Sequence, residues 1–461
     1  MNAPSNLPSG PLVTWYGDDF TGSAAVMEVL EFAGLPSVLF LDIPGPELLA
    51  RFRDRRGIGI ASTARSHGPD WMNANLPAAF GFLDGLRAPL LHYKVCSTLD
   101  SAPDVGSIGR AAELALAARP TAEAAPVLIA APRMRRYQAF GTLFAGAPAG
   151  VFRLDRHPVM ARHPVTPMTE ADVARHIGRQ TDLPTGLIDL EALWKDGGSS
   201  ALEGALSEGR KLLSLDTMDT ATEAAAGGLI WRNRDRMGVV IGSQGVEYAL
   251  TAHWRAEGLI PEVPMPGGAG RVDRIVAVSG SVSPVTAAQI EWSAENGFGI
   301  VRIDTLAMCG APQDRARAEA GAIEAALSVL ERGQSPLVIS AAGPGDQSVA
   351  ALRTAQGASG LTMEEVNRRL GQSLGRVLDR VLLRSGCRRA VISGGDTSGH
   401  GTRELGLEAL TALAPTIPGA ALFRGHGGGA HDGLELALKG GQMGSADYFG
   451  WIRAGGGASA G

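Results

Sequence analysis

The segment GDDFTG, Gly17 to Gly22, sets two adjacent carboxylates between a run that reads as a strand, PLVTWYG, and a run that reads as a helix. Adjacent side chains at a strand's end point to opposite sides. One of Asp18 and Asp19 can then face a ligand while the other caps the helix or orients a neighbour. A carboxylate placed there can accept a proton from a substrate hydroxyl. Amides at the start of the following helix can hold an anion. A plain helix cap uses the same residue types, so that reading stands beside the catalytic one.

A second set lies in HYKVCSTLDS, where Lys94 interrupts an apolar strand pattern and Ser97 and Thr98 follow. A lysine inside a strand either snorkels to water or meets an anion. An ammonium with two hydroxyls suits a sugar acid, with charge for the carboxylate and hydrogen bonds for the hydroxyls. An edge-strand lysine followed by a Ser/Thr turn accounts for the same residues. After the run PVLIAAP come Arg133, Arg135 and Arg136. Such a patch can hold a carboxylate or a phosphate. Arg133 is the one expected at the substrate, and a solvated charge cluster is the alternative for the others.

The second half carries glycine- and serine-rich turns after apolar runs. SGSVSP places Ser279, Gly280, Ser281 and Ser283 before a helix start. GPGD runs from Gly343 to Asp346, and SGGDTSG offers Gly394, Gly395, Asp396 and Thr397. In LKGGQMG, Lys439 could approach a phosphate and Gly441 could pack on a nucleotide. Glycines let the backbone come close to a phosphate chain, and free amides with hydroxyls cradle it. Asp396 could contact Mg²⁺ directly or through water. Each of the first three turns is a weak signal alone, but three in one half carry more weight; LKGGQMG taken alone reads as a plain turn.

Other chemistries find no support. The P-loop pattern G-x-x-x-x-G-K-S/T is absent, and no G-x-G-x-x-G follows a strand. G-x-S-x-G occurs at Gly371–Gly375 and Gly457–Gly461, but neither follows a strand-like run, so no nucleophile elbow is present. His426, His431 and Asp432 sit in a glycine-rich stretch without a helix to fix them, so no protein-held metal is expected. Cys96, Cys309 and Cys387 are widely spaced and odd in number, which argues against a disulfide framework and fits a reducing cytoplasm.

These residues need elements to position them. Both halves alternate strand-like and helix-like runs, which predicts an α/β fold of two domains, each with a mostly parallel sheet flanked by helices. In the first half the strands are PLVTWYG, SVLFLDI, GIGIAS, LLHYKVCS, PVLIAAP, TGLIDL and GVVIGS. In the second they are RIVAVSG, PLVISAAG and RAVISGG, with helices capped by Ser283 and Thr362 and a last helix from about Thr402 to Leu413. In such sheets ligands bind beyond the carboxyl ends of the strands, where the motifs above fall.

The chain has 461 residues, 42 Lys plus Arg against 47 Asp plus Glu, and 62 glycines. That mildly acidic balance gives no general attraction for nucleic acid. No apolar run reaches the roughly 18 residues a membrane span needs. The start, MNAPSNLPSG, does not read as a secretory leader. PEVPMPGGAGR, Pro261 to Arg271, resists both helix and central strand. The expected division is a tail at 1–11, a first domain at 12–260, a linker at 261–273, a second domain at 274–453 and a tail at 454–461. Such a linker would let a cleft close over two ligands.

Taken in order, the motifs resemble those of the four-carbon acid sugar kinase family, long catalogued as a domain of unknown function. GDDFTG is similar to its aspartate pair, YKVCSTLDS to its Lys-x-x-Ser-Thr segment, and VVIGSQG to the element closing its first domain. SGSVSPVTAAQI, ISGGDTSG and LKGGQMG are similar to its nucleotide-binding segments. The resemblance covers nearly the whole chain. It implies ATP and Mg²⁺ as cofactors and phosphorylation of a four-carbon sugar acid, with a branched or 3-oxo acid equally compatible. Asp18, Asp19, Lys94, Ser97 and Thr98 would face the acid sugar. Ser281, Gly394, Gly395, Asp396, Thr397 and Gly441 would face ATP. Asp19 would be the base and Asp18 its orienter, with Asp396 the rival. A homodimer is compatible with this reading.

Two departures bear on the substrate. The family has Arg-Gly where this chain has Asp100-Ser101, and Lys-Ser-Gly-Asn-Phe-Gly where it has Lys439-Gly440-Gly441-Gln442-Met443-Gly444. They leave open a sugar-acid-binding protein without catalysis on the same fold. A decarboxylase or dehydrogenase is a third reading, and the missing dinucleotide fingerprint weighs against the dehydrogenase.

Overall fold

The computed structural model describes residues 7–147, 149–417 and 420–457. The chain divides into two compact units, Met1–Pro264 and Met265–Gly461, and the division falls within the Pro/Gly-rich stretch. The fold is two-domain α/β.

In the first unit eight strands form a parallel sheet: β1 (Val13–Gly17), β2 (Ser37–Phe40), β3 (Gly57–Ala61), β4 (Leu90–Lys94), β5 (Ala125–Leu128), and later in the chain β9 (Thr185–Ile188), β10 (Leu212–Leu215) and β11 (Val239–Gly242). Their order is β2-β3-β1-β4-β11-β5-β10-β9. β1, β4 and β11 are buried throughout, as strands covered by helices on both faces must be. The chain builds to one side of β1 and then crosses to β4 on the other, so a topological switch point lies between β1 and β4.

Between β5 and β9 the chain forms a small antiparallel sheet of β6 (Arg136–Ala139), β7 (Thr142–Ala147) and β8 (Gly150–Arg153). The two-residue turn Phe140-Gly141 has both φ values positive, +49° and +78°. That matches the turn whose twist suits a hairpin. The buried Asp216 carboxylate accepts the amides of Phe140 and Gly141 and so pins this turn to the main sheet.

The second unit has β12 (Val276–Ser279), β13 (Phe298–Arg302), β14 (Ser335–Ile339), β15 (Arg389–Ser393), β16 (Ala409–Ala414), β17 (Leu422–His426) and β18 (Glu435–Lys439). The order β13-β14-β12-β15-β18-β17-β16 is parallel from β13 to β18, while β17 runs antiparallel to both neighbours. Here too the chain builds to one side of β12 and then crosses to β15, giving a second switch point. A core of Ile275, Ile290, Leu337, Val391, Tyr448 and Phe449 underlies it. The buried Arg389 ties β15 to Glu435 of β18 at 2.6 Å and to the carbonyls of Gly270 and Ile452.

Several expectations change. The helix after β15 runs over Gly395–Glu404 instead of Thr402–Leu413, Ala409–Ala414 is a strand, and a short helix the sequence did not signal closes the unit at Tyr448–Ala454. Gly406, at φ +63°, ends the helix early, and the Ala/Leu run after it serves a buried strand as readily as a helix. Lys94 lies on a central strand, not an edge. Thr362 does cap its helix through the Glu365 amide, but the Glu365 carboxylate turns to Arg368 and Arg369. Among the described residues no helix is long and apolar enough to cross a membrane.

Candidate functional site

At the first switch point the chain leaves β1 through Asp18 and Asp19. The Asp18 amide donates to the Lys94 carbonyl at 2.9 Å, so the ends of β1 and β4 are fastened together. Asp19 caps the helix Phe20–Phe32: its Oδ1 accepts the Gly22 amide at 3.0 Å and its Oδ2 the Thr21 hydroxyl at 2.8 Å. The capping reading holds at Asp19, and the same carboxylate is the half-buried one that reaches solvent.

The partner that binds the two carboxylates is Arg65, which follows β3. Its Nε and Nη2 make a two-pronged contact with Asp18, at 3.0 and 2.6 Å, and Nη2 also meets Asp19 at 2.8 Å. Sequence reasoning passed over Arg65. The signal was available: it stands four residues past the end of β3, beside the switch point. Lys94 is buried, with Nζ 4.0 Å from Asp19 Oδ1. Space is tight, since a Cβ at Gly22 would lie 2.1 Å from Lys94 Nζ and 2.2 Å from Asp19 Oδ1.

These surroundings separate the two acids. Burial raises the Asp18 pKa above the ordinary aspartate value, with Arg65 opposing and the Asp19 charge adding to the rise. Burial pushes Asp19 the same way but is outweighed by Arg65, Lys94 and the Thr21 and Gly22 hydrogen bonds, and its pKa falls. Asp19 is thus an anion with 24% of its side chain open to solvent, and Asp18 is a buried brace for Arg65.

The remaining first-unit residues separate into two groups. Thr98 is buried in the turn after β4, 3.0 Å from Cys96 Sγ, and Ser97 is half-buried beside it. Asp100 is engaged by Thr166 and by His163 at 3.2 Å. Arg133 is held elsewhere: it pairs with the buried Glu223 at 3.3 Å and stacks on Tyr248.

At the second switch point, Ser279, Gly280 and Ser281 leave β12, and Ser283 caps the helix Pro284–Glu295 through the Thr286 amide. Gly394, at φ +121°, leaves β15, and the helix Gly395–Glu404 starts without a side-chain cap. Its first amides are therefore free to meet an anion. The Asp396 side chain lies outside the described residues. Three turns converge here. A Cβ at Gly280 would lie 2.2 Å from Thr397 Oγ1, and one at Gly441 2.4 Å from Ser281 Oγ. Thr286 Oγ1 donates to the Gly441 carbonyl at 3.0 Å. Lys439 is fully buried behind them, 3.4 Å from Thr286 Oγ1, and burial brings its pKa down to about 8.

Gly343 lies after β14, where Asp346 caps the next helix through the Ser348 amide and pairs with Arg302 at 2.6 Å. Backbone hydrogen bonds and Arg302 hold that carboxylate far below the usual range. The turn borders an open groove of about 530 Å³ lined by Ala287, Arg302 and Gly343 to Gln347. His431 is taken by Asp379 at 2.8 Å, and His426 meets the Thr411 hydroxyl at 2.9 Å.

A family model described as a sugar-binding N-terminal domain matches residues 13–250, and one described as a nucleotide-binding C-terminal domain matches 276–449. A 3-oxo-isoapionate kinase of Paraburkholderia graminis is 43% identical over 97% of this chain and 95% of its own. This chain belongs to the four-carbon acid sugar kinase family. Its activity class is phosphoryl transfer to a sugar acid. A 3-oxo-tetronate kinase of Cupriavidus necator is 29% identical, covering 96% of each chain. A Salmonella typhimurium protein, described as a tRNA synthase, superimposes with a TM-score of 0.75 at 25% identity, over 96% of this chain and 98% of that one. In this acid sugar kinase, the Asp18–Arg65–Asp19–Lys94 cluster falls in the sugar-binding match and the Ser281–Thr397–Gly441 turns in the nucleotide-binding match.

Proposed function

We propose that the chain transfers the γ-phosphoryl group of ATP to a hydroxyl of a 3-oxo sugar acid, of the kind named for its relatives. The observation that carries this reading is the aspartate pair braced by Arg65 at the first switch point. Asp19 accepts a hydrogen bond from the acceptor hydroxyl and takes its proton as the new P–O bond forms and the bond to ADP breaks. A carboxylate kept ionised suits this role, because the hydroxyl becomes acidic only late in phosphoryl transfer. Asp18 holds Arg65, and Arg65 holds Asp19. Lys94 adds positive charge at the reacting end, with Thr98 and Ser97 beside it.

Ser279, Ser281, Gly394, Gly395, Thr397 and Gly441 would hold the triphosphate. The close approach of glycine and hydroxyl at Gly280–Thr397 and Gly441–Ser281 supports this, as do the uncapped helix start and the buried Lys439. Gly343 lines the neighbouring groove, which suits the rest of the nucleotide. Mg²⁺ would arrive with ATP and neutralise charge on the transferred group, and Asp396 is the residue proposed to meet it.

The test is ADP release over simple, branched and 3-oxo four-carbon sugar acids. Turnover is expected with the 3-oxo acids, and Asp19→Asn is expected to lower kcat by roughly 10²–10⁴. Undiminished turnover in Asp19→Asn would remove that residue from the base role. ATP binding without turnover of any acid would remove the kinase reading.

A further inference from the structure

A sugar acid brings a carboxylate into the first unit, and the cations there are mostly spoken for. Arg65 serves Asp18 and Asp19, Lys94 approaches Asp19, and Arg133 serves Glu223. Arg136 differs. Its Nε is buried without a hydrogen-bond partner, and Nη1 has only long contacts, 3.2–3.4 Å, to the carbonyls of Met134, Arg135 and Gly146. Among the described residues no carboxylate pairs with it. A largely buried guanidinium without a counter-charge is costly, and an arriving carboxylate offers two acceptors matched to its fork.

Its place in the fold points the same way. Arg136 opens β6, and its backbone is bonded to Ala131, three residues past the end of β5. The ends of the three neighbouring strands are linked: Ser243 donates its amide to the Leu128 carbonyl, and Val95 donates to the Gly242 carbonyl. Arg136 therefore stands at the carboxyl edge of the same sheet as Lys94. The hairpin is fixed at its far end by Asp216 and by paired backbone bonds between Gln138 and Thr217. Burial and the neighbouring Arg135 lower the Arg136 pKa, with Cys96 opposing. Together these features describe a fixed cation lacking an anion.

We propose that Arg136 is the receptor for the substrate's carboxylate, holding the acid end of the sugar while Asp19 receives its hydroxyl. This rests on the sugar-acid kinase reading for the identity of the anion. It also shifts the carboxylate contact away from Lys94 and Arg133, whose charges are already engaged.

The test compares the full-length wild type with Arg136→Gln and Arg136→Lys. Calorimetry measures affinity for freshly prepared 3-oxo-tetronate, for its carboxamide and for ATP; coupled kinetics follow turnover. Arg136→Gln is expected to weaken binding of the acid by roughly 30-fold, the range for a lost charged hydrogen bond. Its affinities for carboxamide and ATP are expected to stay within roughly two-fold of wild type, as for sites without shared partners. Arg136→Lys is expected to recover part of the acid preference. An Arg136→Gln protein that favours acid over carboxamide by the wild-type ratio would overturn the proposal. If that variant melts early, the ratio in Arg136→Lys decides, and an unchanged ratio there overturns it too. Wild type that binds acid through Arg136 yet transfers no phosphoryl group would sink the kinase reading and leave the receptor standing. Wild type that does not bind the acid would sink both.

Discussion

The Arg65 guanidinium serves two carboxylates that differ in what else surrounds them. Asp18 is buried against the Arg65 fork; Asp19 has Arg65, Lys94, Thr21 and the Gly22 amide, with solvent on one side. Gly22 keeps that difference, because no side chain fits between Lys94 Nζ and Asp19 Oδ1. Gly22→Ala is therefore expected to fold, since the crowded Lys94 tip can swing aside. Its kcat is expected to fall by at least roughly 100-fold, the scale of a misplaced catalytic group. A thermal melt and a kcat measurement on the same preparation check this; wild-type turnover would show that Lys94 and Asp19 need not be adjacent. At this scale the sequence was readable where chemistry and turn coincided: GDDFTG announces a strand end, two acids and a cap together. Arg65 was not readable, because its role depends on β3 lying beside β1, and that pairing is non-local. Arg133 was read as a substrate contact since it is the first cation after β5, yet its partner Glu223 is ninety residues away in sequence.

At the level of elements, the carboxyl ends of strands carry the candidate chemistry, and each end is closed by a particular residue. Lys439 ends β18 and lies under the turns from β12 and β15, where burial has brought its pKa to about 8. An ammonium behind the proposed triphosphate cradle favours an anion, and bound phosphate would in turn favour the ammonium. As pH rises through about 8 the free enzyme loses that proton, and ATP affinity is expected to fall, approaching roughly ten-fold per pH unit. The stability sign is opposite. A lysine whose folded value lies below its unfolded one leaves the unfolded chain binding more protons between those values, so this group's cost to folding shrinks as pH climbs above 8. A falling affinity there is thus not early unfolding. Measuring ATP affinity from pH 7 to 9.5 checks this, with Lys439→Met expected to give a flat profile. A wild-type profile as flat as the variant's would place Lys439 out of reach of the phosphates. Strands that follow strong turns, such as β1, β12 and β15, were legible from their apolar runs. β16 was not, since an Ala/Leu run has no period to distinguish strand from helix. β6 to β8 were missed because their half-exposed residues carry no apolar run.

For the molecule, the same device occurs once in each unit: a parallel sheet whose chain crosses from one side of its first strand to the other, with the candidate residues at the crossing. The division between the units falls in the Pro/Gly-rich stretch, while the ligand expected for each unit came from the order of motifs and not from any one turn. Two proposed sites, one in each unit, should bind separately and act jointly. Gly441→Ala forces a Cβ to 2.4 Å from Ser281 Oγ and is expected to weaken ATP by roughly ten-fold or more while leaving sugar-acid affinity unchanged. Asp19→Asn is expected to do the reverse of this for ATP, leaving its affinity intact while turnover is lost. The double variant then shows whether the sites are independent, because its binding losses should add to within about 0.5 kcal/mol. Calorimetry of the four proteins for both ligands measures this directly. A coupling well beyond that value would mean that one ligand reshapes the other's site, and the independence proposed for the two sites would have to be given up.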